Sequence, residues 1–111
     1  MRQRSYLGEF ELMAILTVIQ LGEDAYGVTI SRELEKQRGR GVAIGSVYAA
    51  LERLEEKGLV SSSLGLPTPE RGGKAKRYFR VTQEGLRQVR RTRSVLTRLW
   101  RTLPGLTGER V

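Results

Sequence analysis

Ile44-Gly-Ser-Val-Tyr-Ala-Ala-Leu-Glu-Arg-Leu-Glu-Glu-Lys-Gly-Leu-Val60, followed by Arg71-Gly-Gly-Lys-Ala-Lys-Arg-Tyr-Phe-Arg-Val-Thr82, decides the fold of this 111-residue chain. Val47, Leu51 and Leu54, with Tyr48 beside them, line one face of a helix that starts near Gly45 or Ser46. Ser46 is the expected N-cap, with Gly45 or Ala43 as alternatives that shift the boundary, and Gly58 the expected left-handed C-cap. Leu59–Ser63 reads as a strand, Leu64–Lys74 as a loop with two prolines and a Gly-Gly pair, and Ala75–Val81 as a second, half-buried strand. A helix followed by a basic hairpin is the order of a winged helix-turn-helix.

The preceding segments fit that order. Phe10, Met13, Ala14, Thr17, Val18 and Leu21 recur at helical spacing, which predicts a first helix over about Gly8–Leu21. Leu12, Ile15, Leu16 and Ile19 widen its apolar surface, so burial on two sides, against its own core and a second chain, is expected. A second helix is expected from Tyr26 or Gly27 to about Gln37. Arg38-Gly-Arg-Gly41 breaks it, and Val42-Ala43 suits a very short strand. After Thr82, a cap, the last helix carries Leu86, Val89, Arg93, Leu96, Trp100 and Leu103 as an a/d heptad, extended by Val95 and Leu99. Pro104-Gly105 stops it, and the tail to Val111 is expected to fray. The fold class is therefore mainly α with a small antiparallel β-hairpin. Residues 1–82 form the winged helix-turn-helix, and residues 83–111 a C-terminal dimerisation helix and tail.

Composition narrows the function. There is no cysteine and no histidine, so thiolate chemistry and the commonest general base and metal ligand are missing; neither an enzyme nor a bound cofactor is expected. No apolar run approaches the ~20 residues of a membrane span, and no signal peptide is apparent, so no membrane contact is expected and the cytoplasm is the default. The net charge of +8 is uneven. Residues 1–60 hold 8 Lys/Arg against 9 Asp/Glu, a net of −1, and residues 61–111 hold 12 against 3, a net of +9. That excess over the hairpin and last helix is the footprint of a nucleic-acid binder or a solubilising surface, and an acidic membrane surface would also attract it.

The Tyr26-Gly27 pair, the Gly45-Ser-Val-Tyr48-x-x-Leu51-x-Arg53-Leu54-x-x-x-Gly58-Leu-Val run and the Arg77-Tyr-Phe-x-Val-Thr-x-x-Gly85 stretch together resemble the PadR family of bacterial transcription regulators over about residues 8–103. Two departures concern local DNA contacts: Ala49 follows Tyr48 where Pro or Arg is frequent, and Leu66-Pro-Thr-Pro69 is an insertion. The resemblance implies a homodimer on double-stranded DNA, as a repressor at an inverted-repeat operator.

Base edges are read from the N-terminal half of a recognition helix. Here that half offers Ile44, Gly45, Ser46, Ala49 and Ala50, with no Arg or Asn for bidentate base contacts, so modest direct readout and a large phosphate share are expected. The resemblance implies that the Tyr48 hydroxyl meets a phosphate; the alternative is a core tyrosine. Arg53 either reaches the backbone or pairs with a glutamate. Lys74, Lys76 and Arg77 are expected over a groove or backbone from the wing, or else as a solvated charge run; Arg71 is a weaker candidate. Phe10, Met13, Leu86, Val89, Arg93, Leu96, Trp100 and Leu103 are the expected dimer interface, with the other arginines of the last helix solvated or paired to acids of the first. Arg93 is either a register device or a contact to Glu9 or Glu11 of the other chain. By resemblance, Trp100 lines a site for a small aromatic effector; plain interface is its other reading. A winged-helix module that binds protein instead of DNA is the competing function.

Overall fold

The computed structural model describes residues 7–67 and 75–105. Four helices and one hairpin follow in the order α1 (Glu9–Leu21), α2 (Gly27–Arg38), α3 (Ile44–Glu56), β1 (Val60–Pro67), β2 (Ala75–Val81) and α4 (Gln83–Arg101). A 3-10 turn over Gly22–Asp24 joins the first two helices.

The core lies where the first three helices meet the base of the hairpin. Ile15 and Val18 of α1, Ile30 and Leu34 of α2, and Val47, Leu51 and Leu54 of α3 close on Leu59, Val60 and Phe79. Each helix contributes residues three or four apart, which is why the apolar period in the sequence marked them. α2 opens with reciprocal polar contacts: the Tyr26 amide donates to Thr29 Oγ1 at 3.0 Å, and the Thr29 hydroxyl donates to the Asp24 carbonyl at 2.5 Å. It closes on Gly39, whose φ of 77° lets its amide reach the Glu35 carbonyl at 2.8 Å.

Three boundaries differ from the sequence reading. α3 begins at Ile44, with Ala43 as N-cap and no side-chain cap, so Ser46 stands within the first turn. The Ser46 amide donates to the Ala43 carbonyl at 3.0 Å, and the exposure of Ile44 and Gly45 leaves their amides to solvent, so a side-chain cap is not required. Val42-Ala43 forms no strand; the hairpin's third neighbour is the α1–α2 connection, through a single bridge of Tyr26 with Tyr78 and a Phe79 amide bond to the Ala25 carbonyl at 2.9 Å. β1 runs on through Leu64 to Pro67, because backbone pairing with β2 satisfies it whether or not its side chains are covered. The register holds from Val60↔Val81 to Leu64↔Arg77 and then slips by one residue to Pro67↔Ala75 at a bulge; Leu64 and Leu66 are both exposed. Gly58 has φ 78°, as expected for the turn from α3 into β1.

Thr82 locks the last helix to this body. Its hydroxyl oxygen accepts from the Gly85 amide at 3.0 Å, and its hydroxyl donates to the Gly58 carbonyl at 2.7 Å. Gly85 is buried so closely on β1 that a Cβ there would lie 2.1 Å from the Leu59 carbonyl oxygen. Val89 still packs on the core, but Val95, Leu96, Leu99, Trp100 and Leu103 are exposed, Trp100 by 53%. Phe10 and Met13 also pack on the chain's own core, whereas Leu16 and Ile19 of α1 are exposed. Of the residues expected at a dimer seam, those left open are therefore on the distal part of α4, with Leu16 and Ile19 exposed separately on α1.

Candidate nucleic-acid interface

The N-terminal half of α3 presents Ile44, Gly45, Ser46 and Ala49 to solvent, while Val47, Ala50 and Leu51 turn inward. This follows from helical geometry: a core stripe at 47, 51 and 54 leaves positions 45, 46 and 49 outside. Ala50, expected beside them, is fully buried. The exposed face is small and uncharged, so it admits close approach and contact with a thymine methyl. No acidic residue stands in the first turn of α3 to oppose an anion.

Two arginines flank this face that the sequence reading took only as part of a helix break. Arg38 and Arg40 line an open depression of about 590 Å³ together with Ser46, Ala49 and Arg53. The Arg38 guanidinium lies 5.8 Å from the Phe10 ring centroid, and Arg40 is exposed with no acidic partner among the described residues. The signal was legible: cations on both sides of Gly39, in the turn that leads into a recognition helix.

Tyr48 stands at the edge of the core. Its ring is half-buried and packs on the core. Its hydroxyl lies against Gly27, where a Cβ would sit 2.1 Å from Oη, and makes no hydrogen bond within the described residues. Gly27 opens α2, whose first amides have no helical acceptor. Lys76 stands close by, its Nζ 4.6 Å from the ring centroid of Tyr26, and Tyr26 in turn meets Tyr78 edge-on at 5.4 Å. An unpaired hydroxyl, a helix amino end and a lysine on one aromatic pair make a cationic, donor-rich corner.

Arg53 pairs with a glutamate, the second of its two readings, and Arg77 is also engaged within the chain. Arg53 Nε donates to Glu11 at 2.7 Å, and Lys57 Nζ donates to the other oxygen of the same carboxylate at 2.7 Å. Burial pushes the Glu11 carboxyl up, but the hydrogen bonds from Lys57 and Arg53 outweigh it and hold the group below its ordinary value of 4.5. Arg77 turns back to α3, donating to Glu55 at 2.8 Å and to Ser62 Oγ at 3.1 Å, with its guanidinium 5.1 Å from the Phe79 ring centroid. It shares the inward side of β2 with buried Phe79, so strand alternation aims it at α3 and away from the hairpin's outer surface. Lys74 and Arg71 lie outside the described residues. On α4, Arg87 and Arg91 pair with Glu84 and hold its carboxyl below the ordinary value, chiefly through the Arg87 hydrogen bond. Among the described residues, no arginine of α4 pairs with an acid of α1 in the same chain, and Glu11 is already occupied by Arg53 and Lys57, so it is not an open partner for Arg93.

No helix in the described residues is long and apolar enough to cross a membrane. A search of curated proteins finds no match. The profile of the transcriptional regulator PadR-like family matches residues 15–91. Among solved structures, a PadR family transcriptional regulator from Eggerthella lenta is 27% identical, with a TM-score of 0.69 over 89% of this chain and 81% of that one. A PadR-like transcriptional regulator from Bacillus cereus is 26% identical, with a TM-score of 0.68 over 88% of this chain and 91% of that one. Both share the mainly helical body with a two-stranded antiparallel wing. With its matched profile spanning well over half the sequence, this chain belongs to the PadR-like family of transcriptional regulators.

Proposed function

We propose that this regulator is a cytoplasmic homodimeric repressor that binds an inverted-repeat operator in double-stranded DNA. The observation that carries the reading is the bare, uncharged face of Ile44, Gly45, Ser46 and Ala49, with Arg40 lining a depression beside Ser46 and Ala49 and the Tyr48 hydroxyl, unpaired among the described residues, against the start of α2. Residues 1–82 read the DNA: α3 enters the major groove, and Arg38, Arg40, Tyr48, Lys76 and the first amides of α2 hold phosphates. Residues 83–111 dimerise through Leu96, Leu99, Trp100 and Leu103. Two-fold symmetry then sets the two α3 helices about 34 Å apart, one turn of DNA. A flat aromatic effector would bind beside Trp100, between the dimer helices, and act by changing that spacing.

The test is fluorescence anisotropy of labelled duplex from the region upstream of the gene, against shuffled duplex, at two salt concentrations. Selective binding with a log–log salt slope near −5, as about six phosphate contacts require, is the expected result. Absence of binding at both salts would overturn the reading in favour of a protein-binding module, to which exposed Ile44, Leu64 and Leu66 are the natural contacts.

A further inference from the structure

α4 carries six arginines and no lysine, and Glu84 is its single acid. Glu84 neutralises Arg87 and Arg91. Arg90, Arg93, Arg98 and Arg101 are exposed, have no acidic partner among the described residues, and line one groove of about 460 Å³ with Ser94 and Thr97. At about 100° per residue, Arg90, Arg98 and Arg101 lie across the helix from Leu96, Leu99 and Leu103, with Arg93 at the edge near Trp100. Arg90, Arg98 and Arg101 therefore look outward when the apolar stripe is covered by a second chain, while Arg93, about 20° round the helix from Trp100 and about 60° from Arg90, sits where that stripe meets the groove.

Like charges one turn apart repel, and each such pair disfavours a helix by a few tenths of a kcal/mol. Four cations crowded on one groove with nothing opposite them are complementary to a polyanion. Their guanidinium forks match phosphate oxygens two by two, which an ammonium does not. From Arg90 to Arg101 the row extends about 16 Å, the rise of about five base-pair steps of one DNA strand. A lipid surface suits the row less well, since it would need the apolar stripe and its flanking cations on the same side.

We propose that Arg90, Arg93, Arg98 and Arg101 form a second DNA surface that holds backbone phosphates of duplex outside the segment read by α3 and the hairpin. It rests on the DNA-binding reading above, and it adds affinity without sequence preference. Duplex that runs past the core operator binds more tightly and with a steeper salt slope than the core alone.

The experiment uses the full chain as wild type and as the quadruple variant R90Q/R93Q/R98Q/R101Q, with two duplexes centred on the wild-type footprint, one of about 20 base pairs and one of about 50. Light scattering and circular dichroism establish that the variant is a folded dimer, and R90Q/R98Q replaces it if it is not. The expected result is a core affinity within twofold of wild type and a long-duplex affinity lower by about tenfold, with a salt slope shallower by about 2 to 4. The quadruple Lys variant restores the slope but only part of the affinity. A Gln variant with a wild-type slope on both duplexes overturns the proposal, as does equal weakening on both, which a diffuse field would produce. So does wild-type sedimentation with phosphatidylglycerol vesicles combined with no gain from the longer duplex, which would assign the row to a membrane surface. Failure of wild type to bind either duplex would remove the DNA-binding reading itself, and this one with it.

Discussion

Arg53 Nε donates to Glu11 at 2.7 Å across 42 residues of sequence, so α3 is pinned to α1 by a carboxylate that is only 7% exposed. α1 exposes Leu16 and Ile19, and α3 exposes Ile44, Gly45, Ser46 and Ala49. Glu11 is thus the polar link between the helix that exposes Leu16 and Ile19 and the helix that exposes Ile44, Gly45, Ser46 and Ala49.

Glu11→Gln should destabilise the fold by about 1–2 kcal/mol at pH 7, less than a fully buried ion pair because Arg53 and Lys57 remain partly hydrated. The carboxyl is held below 4.5, so its contribution is complete above that value and is lost as pH falls through the lower folded value. Urea unfolding at pH 7 and pH 3.5 should show the gap between wild type and variant narrowing in acid. A gap unchanged by pH would remove the carboxylate from the account.

The same substitution frees Arg53, whose side chain is already half exposed at 51%. DNA binding by the Glu11→Gln variant should show a salt slope steeper by about 1 per protomer, and adding Arg53→Gln should return it to the wild-type value. Arg53→Gln alone should leave the slope where it was. Anisotropy titrations at four salt concentrations read all three.

Gly27→Ala drives a methyl into Tyr48, 2.1 Å from Oη and 2.4 Å from Cζ. The ring must leave its seat against α2, at a cost of about 1–3 kcal/mol. The double variant Gly27→Ala/Tyr48→Ala should lose less than the two single losses added, by chemical denaturation. Tyr48→Phe keeps the fold and should weaken specific and shuffled DNA alike, by several-fold; a loss confined to one sequence would point to base contact.

Gly85→Ala meets the Leu59 carbonyl oxygen at 2.1 Å, a backbone atom that no side-chain rotation can clear. It should cost about 3 kcal/mol and loosen the start of α4 from β1. Hydrogen exchange should speed up at the amides of Gly85 and Leu86 before it does so in α3.

Leu96→Ser/Trp100→Ser removes two exposed side chains of the α4 stripe, and helical structure should persist. Static light scattering should then fall from twice to once the chain mass of 12.5 kDa. An intact dimer would place the interface elsewhere, with Leu16 and Ile19 the next surface to change.

Helix and strand order was open to reading because periodicity is local. Val47, Leu51 and Leu54 mark one face whatever the rest of the chain does, and Thr82 with Gly85 marks a helix start by short-range hydrogen bonding. Strand ends were less legible. β1 passes through Leu64 to Pro67 because of what β2 offers opposite it, and pairing partners are not encoded by the strand's own residues. Arg38 and Arg40 were hidden in a glycine-rich break, where charge reads as solubility until the turn is seen beside α3.

The helices, the hairpin, the exposed uncharged start of α3 and the family could be read from the chain alone, since each rests on residues within a few turns of one another. Which cations remain free was decided only by the tertiary structure. Arg53 and Arg77 look equivalent to Arg40 and Lys76 in one dimension, yet the first pair meets Glu11 and Glu55 across 42 and 22 residues while the second stays open or rests on an aromatic ring. Coulomb attraction depends on distance through space, and only the folded chain sets that distance.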